Sequence, residues 1–489
     1  MPKFNRRQFL GSTAAAAAFA AAPAIVQAAV VEKKVDLVIV GGGLAGLAAA
    51  NAAVKKGVKP IVLEKEAFLG GAGLFPEGSL GVGTRYQKEH GIKTTVQQVL
   101  DAALQFHHYR CDPAVLRVLI EESRQTIDEI QDMGIEFRGI RTMYDKHESL
   151  MTWHLFVGGA AKVIELFVKS IRQGGGELRT QTSAQRLIMN NGKVTGVEAR
   201  DAKGNTIILH AKKVIIATGG FAANKEMLAQ NVTDSSALGM VEPIWLRGPV
   251  VDGRTGDGIT MARLVGANVA GMHAVAGNAP YLPDVPPINQ FSGPDELKQG
   301  RCALAQPWLW VNHEGKRFFN EMSTRDKVSA AELEQPGKFA WEVFDQTVYD
   351  KNKAAANYDK SGLVKKGDSV EAKEIEVDAA TLQATIDAYN KLTTEGATDE
   401  FGRTQDMIEF QPGNMYAIKV APGIHHEMGG IKINVDNQAL GEGDEPIKGL
   451  YAAGEVTGGI HGSNRLGGNA IADVMVFGRT AGTNAATLK

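Results

Sequence analysis

The glycine-rich segment 41–46 constrains the fold more than any other part of the chain. It follows an apolar, β-branched run at residues 35–40, which predicts a strand, and it precedes an Ala-rich amphipathic helix that reaches about Lys56. A second apolar run, residues 60–63, ends at Glu64. Strand, glycine turn, helix, strand and acid in this order are typical of a dinucleotide-binding βαβ unit. We therefore predict an α/β fold that binds a dinucleotide.

Each residue type in this unit has a predicted task. Gly41 makes the tight turn, Gly43 lets the backbone approach a pyrophosphate, and Gly46 lets helix and strand pack closely. Glu64 is placed to accept hydrogen bonds from a ribose. In this region the predicted cofactor-binding residues are Gly41, Gly43, Ala45, Gly46, Glu64, Lys65, Gly70 and Gly71.

Further cofactor contacts are predicted along almost the whole chain. An apolar strand at 213–216 ends in Ala-Thr-Gly-Gly, residues 255–258 precede a helix, and a third apolar run at 450–453 leads to an acid. A ligand buried lengthwise needs contacts spread in this way, whereas a nicotinamide cofactor held by one βαβ unit does not. FAD is therefore the predicted dinucleotide. Its further predicted contacts are Ala217, Thr218, Gly219, Asp257, Glu455, Asn469, Ala470 and Ile471.

The C-terminal segment 454–470 combines an acid, a cation and a helix start. Glu455 follows the apolar run, Arg465 is a cation among glycines, and Gly467, Gly468 and Asn469 open an apolar helix. The free N–H groups of a helix start can face an anion or an electron-rich ring edge. This combination favours a ligand site over a surface loop.

Composition excludes several other classes of protein. The 489 residues are enough for two domains with buried cores. Two cysteines, Cys111 and Cys302, and the absence of a C-x-x-C-H segment argue against a disulfide framework, an iron–sulfur cluster and covalent haem. We predict no metal site, and the body of the chain has no apolar span long enough for a membrane helix.

The first 28 residues are typical of an export signal. Arg6 and Arg7 precede a modest Ala-rich stretch at 12–22, and residues 26–28 offer the small side chains that a signal peptidase needs. This pattern resembles a twin-arginine signal, which exports folded proteins, and it predicts a periplasmic location. Removing residues 1–28 makes the net charge more negative than the −2 of the full chain. We therefore expect neither nucleic acid nor an anionic membrane as a partner.

Changes of composition along the chain predict its domains. From about residue 273 the sequence becomes rich in Pro and aromatic residues, and polar helices such as 378–392 follow. We predict a two-dinucleotide-binding-type FAD domain with an inserted α+β capping domain. The predicted boundaries are 1–28 for the signal, 29–272 for the first part of the FAD domain, 273–419 for the capping domain and 420–489 for the rest of the FAD domain.

Three segments, 323–326 (Ser-Thr-Arg-Asp), 423–430 (Gly-Ile-His-His-Glu-Met-Gly-Gly) and 464–469 (Asn-Arg-Leu-Gly-Gly-Asn), resemble the fumarate reductase and succinate dehydrogenase flavoprotein family. The similarity is greatest to its soluble, periplasmic flavocytochrome-type reductases, and it extends from Val35 to the C-terminus. The resemblance implies a mobile capping domain over an FAD domain. It also implies transfer of hydride between flavin N5 and a carbon–carbon double bond of the substrate.

The same resemblance implies roles for three residues. Arg325 would deliver the proton, and His425 and Arg465 would hold a substrate carboxylate. These roles suit the chemistry, because hydride addition to an enoate needs cations at the carboxylate and a proton donor at the α-carbon. The alternatives are an ion pair between Arg325 and Asp326, a core histidine at 425, and a flavin-supporting role for Arg465.

The chain also departs from the family pattern. Residues 272–279 lack a Gln-Thr-His-Pro-Thr-type segment, and residues 300–306 stand where the family has Ser-Glu-Thr-x-Arg. We therefore expect an unsaturated monocarboxylate with a larger or aromatic substituent rather than fumarate. Tyr281, Trp308 and Trp310 could line the altered half of the pocket, with ordinary core packing as the alternative for the tryptophans. The loop 70–79 contains no histidine, so we expect FAD to be bound without a covalent link.

Three functions remain open from the sequence. The first is a periplasmic FAD-dependent reductase of an unsaturated carboxylate in anaerobic respiration. The second is a dehydrogenase or oxidase that introduces a double bond into an acid or a ketosteroid-like substrate. The third is a non-enzymatic flavin electron carrier. Because the chain has no haem motif, a reductase would need a separate electron donor, such as a small cytochrome or a flavoprotein.

Overall fold

The computed structural model describes residues 29–142, 150–232, 253–281, 309–321, 323, 325–351, 353–360, 362–367, 375, 377–404 and 407–487. The helices are α1 (Leu44–Lys55), α2 (Arg85–Glu89), α3 (Val96–Phe106), α4 (Pro113–Asp132), α5 (Gly159–Gln173), α6 (Lys225–Asn231), α7 (Asp257–Leu264), α8 (Arg325–Leu333), α9 (Gln346–Lys351), α10 (Lys353–Lys360), α11 (Ala379–Glu395) and α12 (Asn469–Ala486). The strands are β1 (Val30–Val40), β2 (Ile61–Leu63), β3 (Gly78–Leu80), β4 (Phe137–Thr142), β5 (Met151–Phe156), β6 (Glu177–Arg179), β7 (Thr182–Asn190), β8 (Lys193–Asp201), β9 (Thr206–Ile216), β10 (Val269–Ala270), β11 (Val275–Tyr281), β12 (Leu309–Val311), β13 (Ala340–Asp345), β14 (Val364–Gly367), β15 (Met415–Glu427), β16 (Gly430–Lys432), β17 (Gln438–Leu440), β18 (Pro446–Ala452) and β19 (Thr457–Gly458).

The main sheet has the strand order β17-β18-β8-β9-β1-β2-β6, and β7 pairs with β8. Strand β1 runs parallel to both β2 and β9, and β18 runs parallel to β9. Parallel strands end at the same edge of a sheet, so the loops that follow β1, β2, β9 and β18 converge there. The predicted α/β fold is confirmed, and this edge is where the predicted cofactor contacts come together.

Helices α1 and α12 pack closely against each other on this sheet. The contact depends on two glycines of α12, because a Cβ atom at Gly478 would lie 2.5 Å from the carbonyl oxygen of Ala45 and one at Gly482 would lie 2.1 Å from that of Ala49. With small residues on both sides, the backbones approach each other. The start of α12 is thereby fixed beside the glycine-rich turn.

A second sheet has the order β11-β15-β13-β12, and β14 also pairs with β15. We call this sheet together with helices α8 to α11 the cap. Strand β15 pairs with β13 up to Val420 and with β11 from Ala421 to Glu427. It therefore runs without a break from the pairing with β13 to Glu427, whose carboxylate accepts a hydrogen bond from the N–H of Phe221 in the loop after β9. The predicted boundary at 419/420 lies inside this strand, and the division into domains stays a prediction.

Local signals in the sequence explain the bounds of several elements. Asp112 caps α4 by accepting hydrogen bonds from the N–H groups of Ala114 at 2.9 Å and Val115 at 3.2 Å. Asn191 and Gly192 have positive φ angles in the turn between β7 and β8, as a tight hairpin requires. Within the described ranges, no helix is long and apolar enough to cross a membrane.

Candidate functional site

The glycine-rich turn after β1 has the geometry of a dinucleotide site. Gly41 has a φ of 107°, and a Cβ there would lie 2.2 Å from the carbonyl oxygen of Ala217. A Cβ at Gly46 would lie 1.9 Å from the carbonyl oxygen of Gly41. A Cβ at Gly43 would instead find only the carbonyl oxygen of Gly70, at 4.0 Å. The turn thus packs tightly on two sides and leaves open space at the start of α1, where a phosphate can meet backbone N–H groups.

Glu64 lies at the end of β2 and faces this turn. Its Oε2 atom accepts a hydrogen bond from the N–H of Gly42 at 2.7 Å, and its Oε1 atom accepts one from the N–H of Glu66 at 2.8 Å. Burial raises the pKa of Glu64, and the two backbone N–H groups act in the opposite direction. The carboxylate is therefore held in a fixed position with lone pairs left for a hydroxyl group.

Two further predicted residues, Lys65 and Asp257, meet although they are far apart in the sequence. The Nζ atom of Lys65 lies 2.6 Å from Oδ2 of Asp257 and donates to Oγ1 of Thr255 at 2.8 Å. Asp257 is the first residue of α7. This ion pair brings the start of α7 to the loop that follows β2.

Gly70 and Gly71 lie against the glycine-rich turn. The N–H of Gly70 donates to the carbonyl oxygen of Gly42 at 2.8 Å, and Gly70 has a φ of 104°. Gly71 also has a positive φ, of 50°. Both residues adopt backbone conformations that favour glycine, and they form a wall of the space beside Gly43.

Ala217, Thr218 and Gly219 follow β9 at the same edge of the sheet. The N–H of Ala217 donates to the carbonyl oxygen of Val40 at 2.7 Å, which fixes this loop beside the first turn. Gly219 has a φ of 76°. The hydroxyl of Thr218 is buried and has no hydrogen-bond partner among the described residues. Such a group is expected to have one in a complete site.

The start of α12 contains a similar group. Asn469 is buried, and neither its Oδ1 nor its Nδ2 atom has a partner within the described part of the chain. The helix begins after Gly468, which has a φ of 80°, and Ala470 and Ile471 occupy its first turn. This helix start presents backbone N–H groups and an amide side chain to the same edge of the sheet.

Glu455 belongs to a buried group that sequence reasoning identified only in part. Its Oε1 atom lies 3.6 Å from Nη1 of Arg254 and accepts a hydrogen bond from the N–H of Glu427 at 3.4 Å. The carboxylate of Glu427 in turn accepts from the N–H of Phe221 at 2.6 Å. Burial and the proximity of the two carboxylates raise the pKa of Glu427.

Arg254 and Glu427 were not predicted as site residues. Glu427 lies inside a segment that carries the family resemblance, and Arg254 directly precedes the segment 255–258, so proximity to recognised motifs was the available signal. In the described ranges, Nε and Nη2 of Arg254 are buried without partners. Together with Thr218 and Asn469, they are donors and acceptors that suit the polar atoms of a bound FAD.

Arg465 is also buried, and its Nη1 atom donates to the carbonyl oxygen of Leu466 at 2.9 Å. Nearby, Nε2 of His461 lies 2.9 Å from Oδ2 of Asp473. Burial raises the pKa of Asp473 to about 8 and lowers that of His461 to about 3, so the pair favours uncharged forms. Arg465 is therefore the dominant positive charge among these buried groups.

Two more imidazoles surround His461. The rings of His107 and His426 meet it edge-on, with centroid distances of 5.8 and 5.4 Å. Burial lowers the pKa of His107, and Arg465 adds to this effect. His107 was not predicted, because nothing in the segment 105–110 distinguishes a buried histidine from an exposed one.

The structure brings the start of α8 to this cluster. Arg325 is the first residue of α8, and the carboxylate of the next residue, Asp326, lies 2.8 Å from Nε2 of His108. Asp326 thus contacts the flavin-binding part of the molecule, one residue from His107. The side chains of Arg325 and His425 lie outside the described residues, and their predicted roles stay predictions.

The burial of Trp310 in the core of the cap distinguishes ordinary core packing from a role in lining the substrate pocket. This residue is 7% exposed and packs with Val328, Phe344, Tyr416 and Ile418. Core packing is therefore the correct interpretation for Trp310, and the suggestion that it lines a substrate pocket is wrong. Trp308 and the side chain of Tyr281 lie outside the described residues.

Comparisons with known proteins agree with this arrangement. The FAD binding domain family matches residues 36–471. The NADH:fumarate oxidoreductase of Klebsiella pneumoniae is 34% identical over 93% of this chain, which spans about half (48%) of that protein. The urocanate reductase of Eggerthella lenta is 32% identical over 93% of this chain and 75% of its own length. The open conformation of a flavocytochrome c3 fumarate reductase gives a TM-score of 0.77 at 31% identity, covering 100% of this chain and 82% of that one.

Proteins at the same level of similarity are named for different acceptors. The vinyl phenol reductase of Lactiplantibacillus plantarum is 29% identical over 92% of this chain and 96% of its own length. The acrylate reductase flavoprotein subunit of Shewanella woodyi is 29% identical over 92% of this chain and 90% of its own length. The shared part of these proteins is thus compatible with more than one unsaturated substrate.

Proposed function

Because the chain belongs to the fumarate reductase and succinate dehydrogenase flavoprotein family, we propose that it reduces the carbon–carbon double bond of an unsaturated carboxylate. It is an FAD-dependent oxidoreductase. FAD, when bound, supplies the hydride. The residues that would hold FAD are those at the edge of the main sheet, and we propose that they do so without a covalent link, because loop 70–79 has no histidine.

One observation carries this proposal: a buried arginine lies beside the predicted flavin site, and the start of α8 is held next to it. Arg465 can bind a carboxylate through two hydrogen bonds, and its charge stabilises the enolate that develops as hydride arrives. His425 would bind the same carboxylate. Arg325 would protonate the α-carbon, a task that suits its position at the start of α8, next to the Asp326–His108 contact.

The preferred acceptor would be a monocarboxylate rather than fumarate. Fumarate needs cationic or polar groups at both ends, and the segments predicted for its second carboxylate are absent from this sequence. Urocanate and acrylate, which relatives are named for, each carry one carboxylate, and urocanate also carries a ring on the other end of its double bond. We therefore propose a monocarboxylate acceptor with a substituent larger than a hydrogen atom.

The sequence also supports a proposal for the location of the protein and for its electron supply. We propose that residues 1–28 direct export to the periplasm by the twin-arginine route, and that a cytochrome or flavoprotein supplies electrons there during anaerobic respiration. Fractionation of cells that express the full chain tests the route. Replacing Arg6 and Arg7 by Lys should leave the protein uncleaved in the cytoplasm, and unchanged export of that variant would contradict the proposal.

The test of the reaction is an anaerobic assay of the FAD-loaded protein with reduced viologen. The acceptors would be fumarate, crotonate, cinnamate, urocanate, acrylate and 4-vinylphenol. We expect turnover with at least one monocarboxylate, and a loss on the order of 10²–10⁴-fold in kcat for Arg325→Ala, the usual contribution of a general acid. Arg263→Ala, at an exposed position of α7, is the matched control and should turn over like the wild type.

Other outcomes point to the remaining functions. FAD binding without oxidation of the reduced flavin by any acceptor would contradict the reductase. Oxidation of a saturated acid with an artificial electron acceptor would instead support a dehydrogenase. Full turnover of Arg325→Ala would remove the proposed role of Arg325.

A further inference from the structure

We propose that His107 determines substrate specificity by accepting a hydrogen bond from an O–H or N–H group on the substituent of the unsaturated acid. This proposal rests on the proposed function, in which Arg465 holds the carboxylate of the same substrate. It adds a second point of recognition and names the chemistry of the substituent. A phenol or an N–H heterocycle has the required group.

His107 directly follows α3 and lies between the two elements that the proposed reaction uses. Its carbonyl oxygen accepts a hydrogen bond from the N–H of Ser463 at 3.4 Å, two residues before Arg465. The next residue, His108, contacts Asp326 in the first turn of α8 through its Nε2 atom at 2.8 Å. The segment that contains His107 is thus joined on one side to the segment of Arg465 and on the other side to the start of α8.

This position packs tightly against the C-terminal segment. A Cβ atom at Gly462 would lie 2.3 Å from the carbonyl oxygen of His107 and 3.0 Å from its Cβ atom. The N–H of Asp112 donates to the carbonyl oxygen of Gly459 at 2.7 Å. These contacts hold the segment 107–112 in place, and with it the backbone that carries the ring of His107.

The turn after His107 has a backbone conformation that is unfavourable for its residues. His108 and Tyr109 have φ angles of 55° and 57°, in the left-handed region that non-glycine residues rarely adopt. Such conformations persist only where the surrounding structure holds them, and they concentrate at functional sites. With this turn, His108 reaches Asp326 of α8 while His107 stays buried against the C-terminal segment.

The ring of His107 has hydrogen-bonding capacity that is not used. The residue is 0% exposed, and neither Nδ1 nor Nε2 has a hydrogen-bond partner within the described part of the chain. His154, also 0% exposed, has the usual arrangement: its Nε2 atom contacts the hydroxyl of Thr84 at 2.8 Å and its Nδ1 atom contacts the carbonyl oxygen of Thr152 at 3.0 Å. Because buried polar groups rarely stay without a partner, the ring of His107 points to one that comes from outside the chain.

The charge state of His107 limits the kind of partner that fits. Burial lowers the pKa of His107 well below its usual value, and the neighbouring His461, Arg465 and His108 lower it further. The imidazole is therefore uncharged at neutral pH. An uncharged imidazole has one nitrogen that donates a hydrogen bond and one that accepts.

The acceptor nitrogen distinguishes His107 from its neighbours. Arg465 has only donors, and Nε2 of His461 is already 2.9 Å from Oδ2 of Asp473. A carboxylate needs donors alone, so an acid with an apolar substituent would leave the acceptor of His107 without a partner. A second carboxylate would favour a charged imidazolium, which burial and Arg465 oppose. An O–H or N–H group on the substituent fits the acceptor without either penalty.

Pairs of acids that differ in this group test the proposal. The first pair is 4-hydroxycinnamate and cinnamate, and the second is urocanate and 3-(2-thienyl)acrylate, whose ring has no N–H. With the wild-type holoenzyme and reduced viologen, we expect kcat/KM to favour the first member of at least one pair by about 10- to 100-fold, the usual effect of leaving a buried polar group unpaired. An equal kcat/KM within both pairs would overturn the proposal.

Substitutions assign this preference to the ring nitrogens. His107→Phe keeps a flat ring against His461 but removes both nitrogens, so the preference should disappear. His107→Gln retains an acceptor and should keep part of the preference. His313→Phe, at an exposed position of the cap, is the matched control and should keep all of it.

Binding and stability give readouts that do not depend on turnover. The saturated counterparts of the same acids, titrated into the oxidised holoenzyme and followed by flavin absorbance, should bind with the same preference to the wild type and without it to His107→Phe. Thermal unfolding of the holoenzyme without substrate should show no loss of stability for His107→Phe, because the ring nitrogens have no protein partner among the described residues.

The proposal is contradicted if His107→Phe keeps the wild-type preference, or if it weakens both members of a pair equally and unfolds at a lower temperature, as expected for a purely structural histidine. A wild-type protein that binds FAD but reduces no acceptor would instead overturn the proposed function. The binding titrations would still measure the preference of His107 in that case, so the two failures are distinguishable.

Discussion

Glu64 in the flavin-binding sheet and Glu332 in the cap are both largely removed from solvent, and burial raises the pKa of both. Glu64 accepts hydrogen bonds from two backbone N–H groups, whereas neither oxygen of Glu332 has a partner at hydrogen-bond geometry in the described ranges, and the N–H of Ala340 is only the smallest influence on its pKa. Donors hold a carboxylate in one position and favour its charge, which is what binding a hydroxyl group requires. A carboxyl group without donors keeps its proton instead. The same residue type is thus a fixed hydrogen-bond acceptor in one region and a buried carboxyl group whose neutral form is favoured in the other.

The cap is able to pair buried acids with cations. Arg317 contacts Oε2 of Glu321 at 2.7 Å and Oδ2 of Asp399 at 2.6 Å, and Arg403 lies 3.1 Å from Glu321. The side chains of these four residues are at most 7% exposed, so they too are largely removed from solvent. The missing cation beside Glu332 is therefore specific to that position and is not a general property of the cap.

The largest effect is expected for the paired acids of the cap. Arg317→Met keeps most of the side-chain volume but leaves Glu321 with one cation, Arg403, and removes the cation that contacts Asp399. Removing one partner of a buried ion pair typically costs about 3–5 kcal/mol in the free energy of unfolding. Thermal and denaturant unfolding of the holoenzyme would measure this loss. Lys316→Met breaks only an exposed pair with Glu314 and should change stability little.

If Arg317→Met unfolds like its control, the buried pairing contributes little to the cap, and the contrast with Glu332 loses its basis. A large loss would show that an uncompensated acid is costly in this core. Glu332 and Glu342 would then be tolerated only because they hold protons.

Much of the flavin-binding part could be predicted from the sequence because its signals are local. A glycine turn between strand and helix, and an acid directly after the next strand, specify geometry within some 25 residues of chain. The positions of Gly41, Gly46 and Glu64 follow from that pattern alone. Lys65 and Asp257 were both predicted as cofactor contacts, but their mutual ion pair depends on how α7 meets the loop after β2.

The cap could not be predicted to the same depth, because its decisive contacts join residues with no shared motif. Glu332 lies in the polar run Ala-Glu-Leu-Glu-Gln at 331–335, which is typical of an exposed helix surface. Only the packing of α8 against the sheet shows that Glu332 is buried and Glu334 exposed. The same holds for His107, whose burial depends on contacts with the C-terminal segment.

An intermediate effect is expected for the fixed acceptor, Glu64. Glu64→Gln keeps the shape but removes the charge, and its NH₂ group would face a backbone N–H in place of an acceptor oxygen. We expect FAD affinity to fall by about 1.5–3 kcal/mol, the usual contribution of a hydrogen bond to a charged group. Fluorescence titration of the apoprotein with FAD would measure it. Glu66→Gln, in the same loop with its backbone N–H unchanged, is the control.

The pH dependence of FAD binding sharpens this prediction. The pKa of Glu64 is raised, so the carboxylate gains its proton at a higher pH than a free glutamate does as the solution is acidified. As the solution is acidified, the FAD affinity of the wild type should therefore begin to fall while the pH is still above 4.5, the ordinary pKa of this group. The Glu64→Gln variant should not show this acid-dependent loss. Equal pH profiles for the two proteins would show that Glu64 is not a cofactor contact.

The smallest effect, and opposite in sign, is expected for Glu332→Leu. Leucine removes two carboxyl oxygens that have no partner among the described residues, so the free energy of unfolding of the cap should rise by about 1–3 kcal/mol at neutral pH, the usual cost of such groups.

The pH dependence of stability tests the same point. Because the folded pKa of Glu332 is raised, the protonated carboxyl stabilises the fold relative to the free residue below pH 4.5, and this contribution is lost as pH rises through the folded pKa. Unfolding of Glu332→Leu, followed across pH, should therefore show a shallower decline above pH 4.5 than the wild type, while Glu334→Gln keeps the wild-type slope. A variant less stable than the wild type at every pH would mean that Glu332 has a stabilising partner. The contrast between Glu64 and Glu332 would then not hold.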